Sequence, residues 1–258
     1  MKITKNISTL FKFLITIREY VHLKTIRVVD RIFKMPFGFS ADGEDIILRK
    51  YLSGIEDGFY IDIGAHYPIE GSNTFGFYLN GWSGICIDPL PGLNRRYDFW
   101  RPRDKFIRAG VSSDATQSLD FYYYKNITDN STFSPERVDT LKSIYGRVPT
   151  SVHPTKTLTI ESICNKYHVE DTIHLINIDV EGMELEIVEQ IFSEGLSPWI
   201  LCIEEISKTA ETVPQGKIYS ILRENGYIFA ARTFLTSIYV KKENIHMMPS
   251  PYVKELIL

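Results

Sequence analysis

Five side chains are of types, and in settings, that could do chemistry: Asp62, His66, Asp88, Asp179 and Glu204. Each ends or follows a short apolar run, in "FYIDIGAHYP" (59–68), "GICIDPL" (84–90), "HLINIDVEGMELEIVEQIF" (174–192) and "WILCIEE" (199–205). Ligands of parallel sheets bind outside the carboxyl ends of the strands, so acids at those ends face a crevice. Gly64 lets the chain turn sharply and lets a ligand approach the backbone. Asp62 can accept hydrogen bonds from a cationic group or from turn amides. Asp88, followed by Pro89, comes 26 residues after Asp62. A carboxylate there is placed to accept both hydroxyls of a ribose, as in dinucleotide folds where the interval is about 20.

The turn is not G-x-G-x-x-G, because Ala65, His66, Tyr67 and Pro68 follow Gly64. The glycines that let a pyrophosphate settle on a helix N-terminus are missing, and no G-x-x-x-x-G-K-[ST] occurs. The expected ligand is a nucleoside without phosphates. S-adenosylmethionine (SAM) fits, with a ribose for Asp88 and a cationic amino-acid end for the acidic turn. Glu181 and Glu184 sit near a helix start, where negative charge suits the helix dipole. Asp179 ends a strand beside the crevice and has no packing purpose there.

These residues need a sheet to position them. Near-continuous apolar runs predict strands at Phe59–Ile63, Gly84–Ile87, Phe106–Ala109, His174–Ile178 and Trp199–Ile203, buried on both faces. Helical patterns fall between them near Thr74–Leu79, Leu93–Trp100, Ile160–Lys166 and Glu184–Phe192. The alternation argues for an α/β fold, a doubly wound and mostly parallel sheet with helices on both faces. Toward the end, "KIYSILRENGYIFAARTFLTSIYVKKE" reads as a helix stopped at Gly226 and two strands that pair antiparallel. Residues 119–157 open with an aromatic strand-like run and continue too long for an ordinary connection. This insertion is a lid over a site or an elaborated surface hairpin.

A chain of 258 residues, 44% hydrophobic and 24% charged, can bury one sizeable core. Its net charge of −3 gives no attraction to nucleic acid, and no basic patch stands out in the central region. Cys86, Cys164 and Cys202 lie in apolar surroundings without a C-x-x-C pair, which supports neither a disulfide framework nor a thiolate zinc site. No apolar stretch approaches the ~18 residues of a membrane span, and no signal peptide is evident. The expected location is therefore the cytoplasm, and the sequons at Asn126 and Asn130 do not overturn it. Residues 1–36 differ from the domain at 37–258. Through residue 34 there are eight Lys or Arg against two acids, a local charge of +6 that leaves −9 for the rest. Ile7, Leu10, Phe11, Leu14, Ile17, Val21, Val28 and Ile32 form a helical stripe interrupted by Arg18. Such a basic amphipathic arm lies on the inner face of an anionic membrane, or packs on its own domain or on a second subunit of a homodimer.

Taken together, "FSADGED" (39–45), "FYIDIGAHYP", "SNTFGFYLNGWSGICIDPLPGLNRR" (72–96), "RAGVSSD" (108–114), "LTIESI" (158–163), "INIDVEGMELEIV" (176–188), "WILCIEE" and "LRENGYIFAARTF" (222–234) resemble the FkbM-type SAM-dependent methyltransferases. The resemblance runs in order from about residue 39 to 240 and does not cover the arm. It implies a Rossmann-like seven-stranded sheet of order 3-2-1-4-5-7-6 with strand seven antiparallel, and methylation of a hydroxyl on a glycan, glycolipid or natural product. It also implies that Asp62, Gly64, Ala65 and His66 hold the methionine part, Asp88 with Pro89 the ribose, and Gly110, Val111 and Ser112 the adenine side. Ser72, Asn73 and Thr74 cap the following helix or touch the cofactor, and Glu44 and Asp179 are counted with the cofactor residues. Family turns carry Asn where this chain has His66.

Methyl transfer to a hydroxyl needs in-line alignment and a base or a metal. Asp179 and Glu204, ending adjacent strands, could hold Mg²⁺ as hard oxygen ligands; without metal, Asp179 or His66 is the base. His153 and His174 read as structural or surface residues. Two other classes stay open. A nicotinamide-dependent oxidoreductase would share the fold, although the missing glycines argue against it. A catalytically silent nucleoside-binding or assembly module would keep the core without chemistry.

Overall fold

The computed structural model describes residues 38–113, 118–169, 172–206 and 208–257, so the basic arm lies outside the described residues. Seven strands form the main sheet: β1 (Phe59–Ile63), β2 (Ser83–Ile87), β3 (Lys105–Ile107), β7 (Leu175–Ile178), β8 (Ile200–Glu204), β9 (Tyr227–Arg232) and β10 (Thr236–Lys241). Their order is β3-β2-β1-β7-β8-β10-β9. All neighbours are parallel except β10, which runs antiparallel to both β8 and β9. Counted without the strands that leave this sheet, that is 3-2-1-4-5-7-6, the order the family resemblance implies.

The central strands are mostly apolar because both faces are covered. Period-two alternation sends Ile61 and Ile63 of β1 to one face and Tyr60 to the other. The first face packs on α5 (Ile160–Tyr167) through Ile160 and Ile163, and on α6 (Glu184–Ser193) through Ile187, Val188 and Ile191. The second packs on α1 (Glu44–Tyr51), α2 (Phe75–Leu79) and α3 (Leu93–Trp100) through Leu48, Phe77, Leu93 and Tyr97. The helix α7 (Lys217–Glu224) stops before Gly226, whose φ of 80° suits glycine.

After Ile107 the chain leaves the main sheet, so the strand expected at Phe106–Ala109 ends early. A second sheet, of order β4-β6-β5, takes over: β4 (Gly110–Val111) runs parallel to β6 (Ser151–Leu158), and β5 (Ser118–Tyr123) antiparallel to it. Between β5 and β6 lies α4 (Pro135–Tyr145), started by Ser134, whose Oγ accepts from the Arg137 N–H, and by Pro135. Gly146 at φ 64° ends it. No helix among the described residues is long and apolar enough to cross a membrane. His174 accepts a hydrogen bond from the Phe59 N–H at 3.1 Å and packs between the Trp82 and Trp199 rings, while His153 is exposed on β6.

Candidate active site

Register decides which side chains meet. Ile107, Ile87, Ile63, Ile178 and Ile203 stand in one row across β3, β2, β1, β7 and β8. One residue further on along β2, β1, β7 and β8 come Asp88, Gly64, Asp179 and Glu204. The sheet therefore converts four distant sequence positions into one line at its carboxyl edge. A cavity of about 810 Å³ opens over that edge, a size suited to a small-molecule site. Gly64 has φ 79°, and a Cβ there would come within 1.6 Å of the Asp179 carbonyl oxygen. No other residue allows β1 and β7 to end so close together.

Asp88 is 5% exposed; its Oδ2 accepts from the His66 N–H at 2.9 Å and its Oδ1 from the Leu90 N–H at 2.8 Å. Each oxygen keeps a lone pair for a ligand hydroxyl. Burial raises the Asp88 carboxyl to about 6. His66 takes the left-handed backbone, φ 45°, and its Nε2 lies 2.9 Å from Thr128 Oγ1 in the segment between β5 and β6. Burial lowers its imidazole below the ordinary histidine value. The N–H groups of Gly64 and Ala65 both donate to the Ile87 carbonyl, at 2.9 and 3.1 Å. The Gly64, Ala65 and His66 amides are thus engaged within the protein rather than turned to a phosphate, which agrees with the missing glycines.

Asp62 lines the cavity and is also bonded to the protein on both oxygens. Its Oδ1 accepts from Asn177 Nδ2 at 2.9 Å and its Oδ2 from Thr74 Oγ1 at 2.5 Å, and it is 1% exposed. Asn177 is its register partner on β7 and also accepts from Asn73 Nδ2. Burial raises the Asp62 carboxyl. The acid reads in sequence as a hand for the cationic end of a ligand; it lines the cavity, and its two oxygens also tie β1 to β7 and to the start of α2. Ser72 Oγ accepts from the Thr74 and Phe75 N–H groups, which opens α2. Ser72, Asn73, Pro89, Gly110 and Val111 line the cavity. Thr74 and Ser112 do not: Thr74 is fully buried, and the Ser112 carbonyl accepts from Gln190 Nε2 at 2.6 Å. Glu44 lines the cavity, its oxygens accepting from Thr233 Oγ1 and the Asp42 N–H.

One organiser escapes sequence reasoning. Arg101, fully buried after α3, donates to Asp104 (2.6 Å), Tyr60 OH (2.9 Å), Thr74 Oγ1 (2.8 Å) and Ser72 Oγ (3.1 Å). The rings of Tyr60, Tyr78 and Tyr97 surround its guanidinium, with centroids 5.3–5.6 Å away. A buried charge needs such partners. Through them it holds the 72–74 segment against β1. Its motif "RPRD" carries no distinguishing spacing, and only the fold brings the tyrosines around it.

At the other end of the cavity, Asp179, Glu181 and Glu204 each offer an oxygen within 4.8 Å of the others. Burial above all pushes the three carboxyls over the usual range. Glu181 is left-handed (φ 58°), accepts from Arg137 Nε at 2.9 Å, and receives Thr132 Oγ1 on its carbonyl at 2.7 Å. Lys125 to Ser131, Phe133 and Arg137 form the wall facing the strand ends. The β5–β6 segment therefore bounds the site.

Fold and site together define a doubly wound α/β domain with a ligand crevice along its strand ends. The model of the methyltransferase FkbM domain matches residues 62–229, about two thirds of the sequence. The chain belongs to the FkbM methyltransferase family, whose class is SAM-dependent methyl transfer. No curated protein matches the sequence at a significant level. Among solved structures it is similar to 1,6-didemethyltoxoflavin-N1-methyltransferase of Burkholderia thailandensis, with 11% identity and a TM-score of 0.42 over 87% of this chain and 89% of that one. A TehB-like SAM-dependent methyltransferase from Corynebacterium glutamicum gives 10%, 0.39, 87% and 98%. The C-terminal domain of precorrin-6Y C5,15-methyltransferase from Rhodobacter capsulatus gives 11%, 0.38, 76% and 85%. Likeness this remote carries no argument about the acceptor.

Proposed function

We propose that this protein transfers a methyl group from SAM to a hydroxyl oxygen of a polyhydroxylated acceptor, a sugar unit of a glycan or glycolipid. The observation that carries the reading is the line Asp88, Gly64, Asp179, Glu204 along one crevice in which the Gly64, Ala65 and His66 amides are already bonded within the protein. That donor set suits a nucleoside with hydroxyls and a cationic tail, and it suits a pyrophosphate poorly. When bound, SAM supplies a methyl group already activated on a sulfonium.

The protein's own residues do the rest. Asp88 accepts the ribose hydroxyls, and Gly64 leaves room for the ligand against the backbone. Asn126, Thr128, Asp129, Asn130 and Ser131, all in the cavity wall, supply a dense set of donors and acceptors for a sugar. Such positioning can contribute several kcal/mol of the barrier reduction, about 7 or more in well-aligned cases. Asp179, at the end of β7, receives the hydroxyl proton. His66 shapes the turn, since its backbone donates to Asp88 and its ring meets Thr128.

A mass-shift screen of candidate glycans with the full chain and SAM tests this. The expected result is a methyl increment on a hydroxyl, lowered about 10²-fold or more by Asp179→Asn, as for loss of a general base. His66→Asn should retain turnover, because Asn tolerates the left-handed backbone. A chain that is folded yet binds neither SAM nor S-adenosylhomocysteine in a calorimeter would sink the proposal. Loss of turnover in His66→Asn equal to that of Asp179→Asn would move the base to the histidine.

A further inference from the structure

We propose that Asp179, Glu181 and Glu204 form a site for a hard divalent cation, Mg²⁺ or Mn²⁺, in the crevice wall. The argument starts from one oxygen. Glu204 is 7% exposed, lines the cavity, and its Oε2 has no hydrogen-bond partner among the described residues. A buried carboxylate oxygen left unpartnered is costly. Neighbouring acids do not share this condition. Glu44, Asp62 and Asp88 each place both oxygens on protein donors. Glu184 does the same, accepting from the Val180 and Gly182 N–H groups. Glu204 alone of these buried acids has an oxygen with no protein donor.

Geometry and charge say what that is. The three acids offer oxygens within 4.8 Å of one another. An octahedral ion with bonds of about 2.1 Å sets neighbouring ligands about 3.0 Å apart and opposite ones about 4.2 Å apart. Small side-chain rotations close the difference. Arg137 occupies Oε2 of Glu181, at 2.7 Å from its Nη2, which leaves Oε1 for the ion. Once an ion displaces the ligand protons, three carboxylates against this one guanidinium leave two negative charges, which a divalent cation neutralises. An all-oxygen donor set selects the hard cations over zinc or copper.

Two ligands end rigid neighbouring strands, and the third sits on a turn clamped by α4, so the site is held from both walls of the crevice. Three protein ligands leave about three positions of an octahedron for water or acceptor oxygens. Resting on the methyl-transfer reading, we assign those positions to two adjacent hydroxyls of the acceptor, a vicinal diol. A hydroxyl oxygen held by the cation gives up its proton more readily, and the Asp179 oxygen that does not ligate the ion receives it. Cation binding itself does not depend on that reading.

The test uses the full chain stripped with EDTA, titrated with Mn²⁺ under electron paramagnetic resonance and with Mg²⁺ by calorimetry. Glu204→Gln and Glu181→Gln are compared with Glu136→Gln, an exposed position on α4, and S-adenosylhomocysteine affinity verifies that each variant is folded. The expected result is one Mn²⁺ per chain, weakened about tenfold or more by each ligand substitution and unchanged by Glu136→Gln. A wild-type chain that binds S-adenosylhomocysteine but neither ion overturns the site. Ion binding that both ligand variants retain overturns it equally. If the ion binds and is lost in the variants while no acceptor is methylated, the cation site stands and the methyl-transfer reading fails.

Discussion

Asp88 joins two tasks in one side chain. It fixes the backbone at His66 and Leu90, and it keeps a lone pair on each oxygen for the ligand. Its carboxyl is raised to about 6 because burial removes water that two amides only partly replace. On the proposed ribose role the ionised form is the one that accepts the hydroxyls, so affinity is expected to be full above the folded-state value and to fall as pH drops through it. Calorimetry with S-adenosylhomocysteine between about pH 5 and 8 should show this loss, approaching tenfold per pH unit on the acid side. Asp88→Asn should flatten the profile and bind about ten- to a hundredfold more weakly, the range for lost hydrogen bonds to a charged group. A wild-type affinity independent of pH would remove Asp88 from the ribose.

At the level of elements, the start of α2 is held through Arg101 rather than by packing alone. This guanidinium, Asp104 and Tyr60 form a buried network that reaches Ser72 and Thr74, and Thr74 in turn binds Asp62 on β1. Arg101→Met would leave Asp104 as an unpaired buried charge. The expected cost is about 3–5 kcal/mol of unfolding free energy, read by urea denaturation. Adding Asp104→Asn should recover part of that loss, because the orphaned charge goes with it. Additive losses would show that the two side chains act independently.

Across the whole molecule, the segment between β5 and β6 closes the crevice through a few polar contacts. His66 meets Thr128, Arg137 pairs with Glu181, and Thr132 donates to the Glu181 carbonyl. Contacts of this kind contribute about 1 kcal/mol each. Thr128→Val together with Arg137→Ala should speed amide exchange in residues 125–134 by about tenfold or more while leaving the strands of the main sheet protected. Unchanged exchange would mean that the β5–β6 pairing alone holds the wall in place.

The alternating apolar runs determined the main sheet, because a strand buried on both faces must be apolar at nearly every position. Phe59–Ile63 and Leu93–Trp100 are observed as read, and the Gly226 stop followed by two antiparallel strands is where it was expected. The helix at Pro135–Tyr145 carried a visible start in Ser134 and Pro135 and an end in Gly146, yet its weak apolar stripe hid it within a long polar stretch. Acids at strand ends were legible as crevice residues, since a parallel sheet places its carboxyl ends together. What each acid does was decided by the tertiary structure. Asp62 and Asp88 look alike as strand-end carboxylates, but their partners come from different places: side chains of β7 and of the segment before α2 for the first, the His66 and Leu90 amides for the second. Glu181 read as a helix-dipole acid, and only the approach of β8 and α4 sets it beside Glu204 and Arg137. A carboxylate's chemistry depends on the donors and charges within a few ångströms of it, and those come from segments far away in the chain.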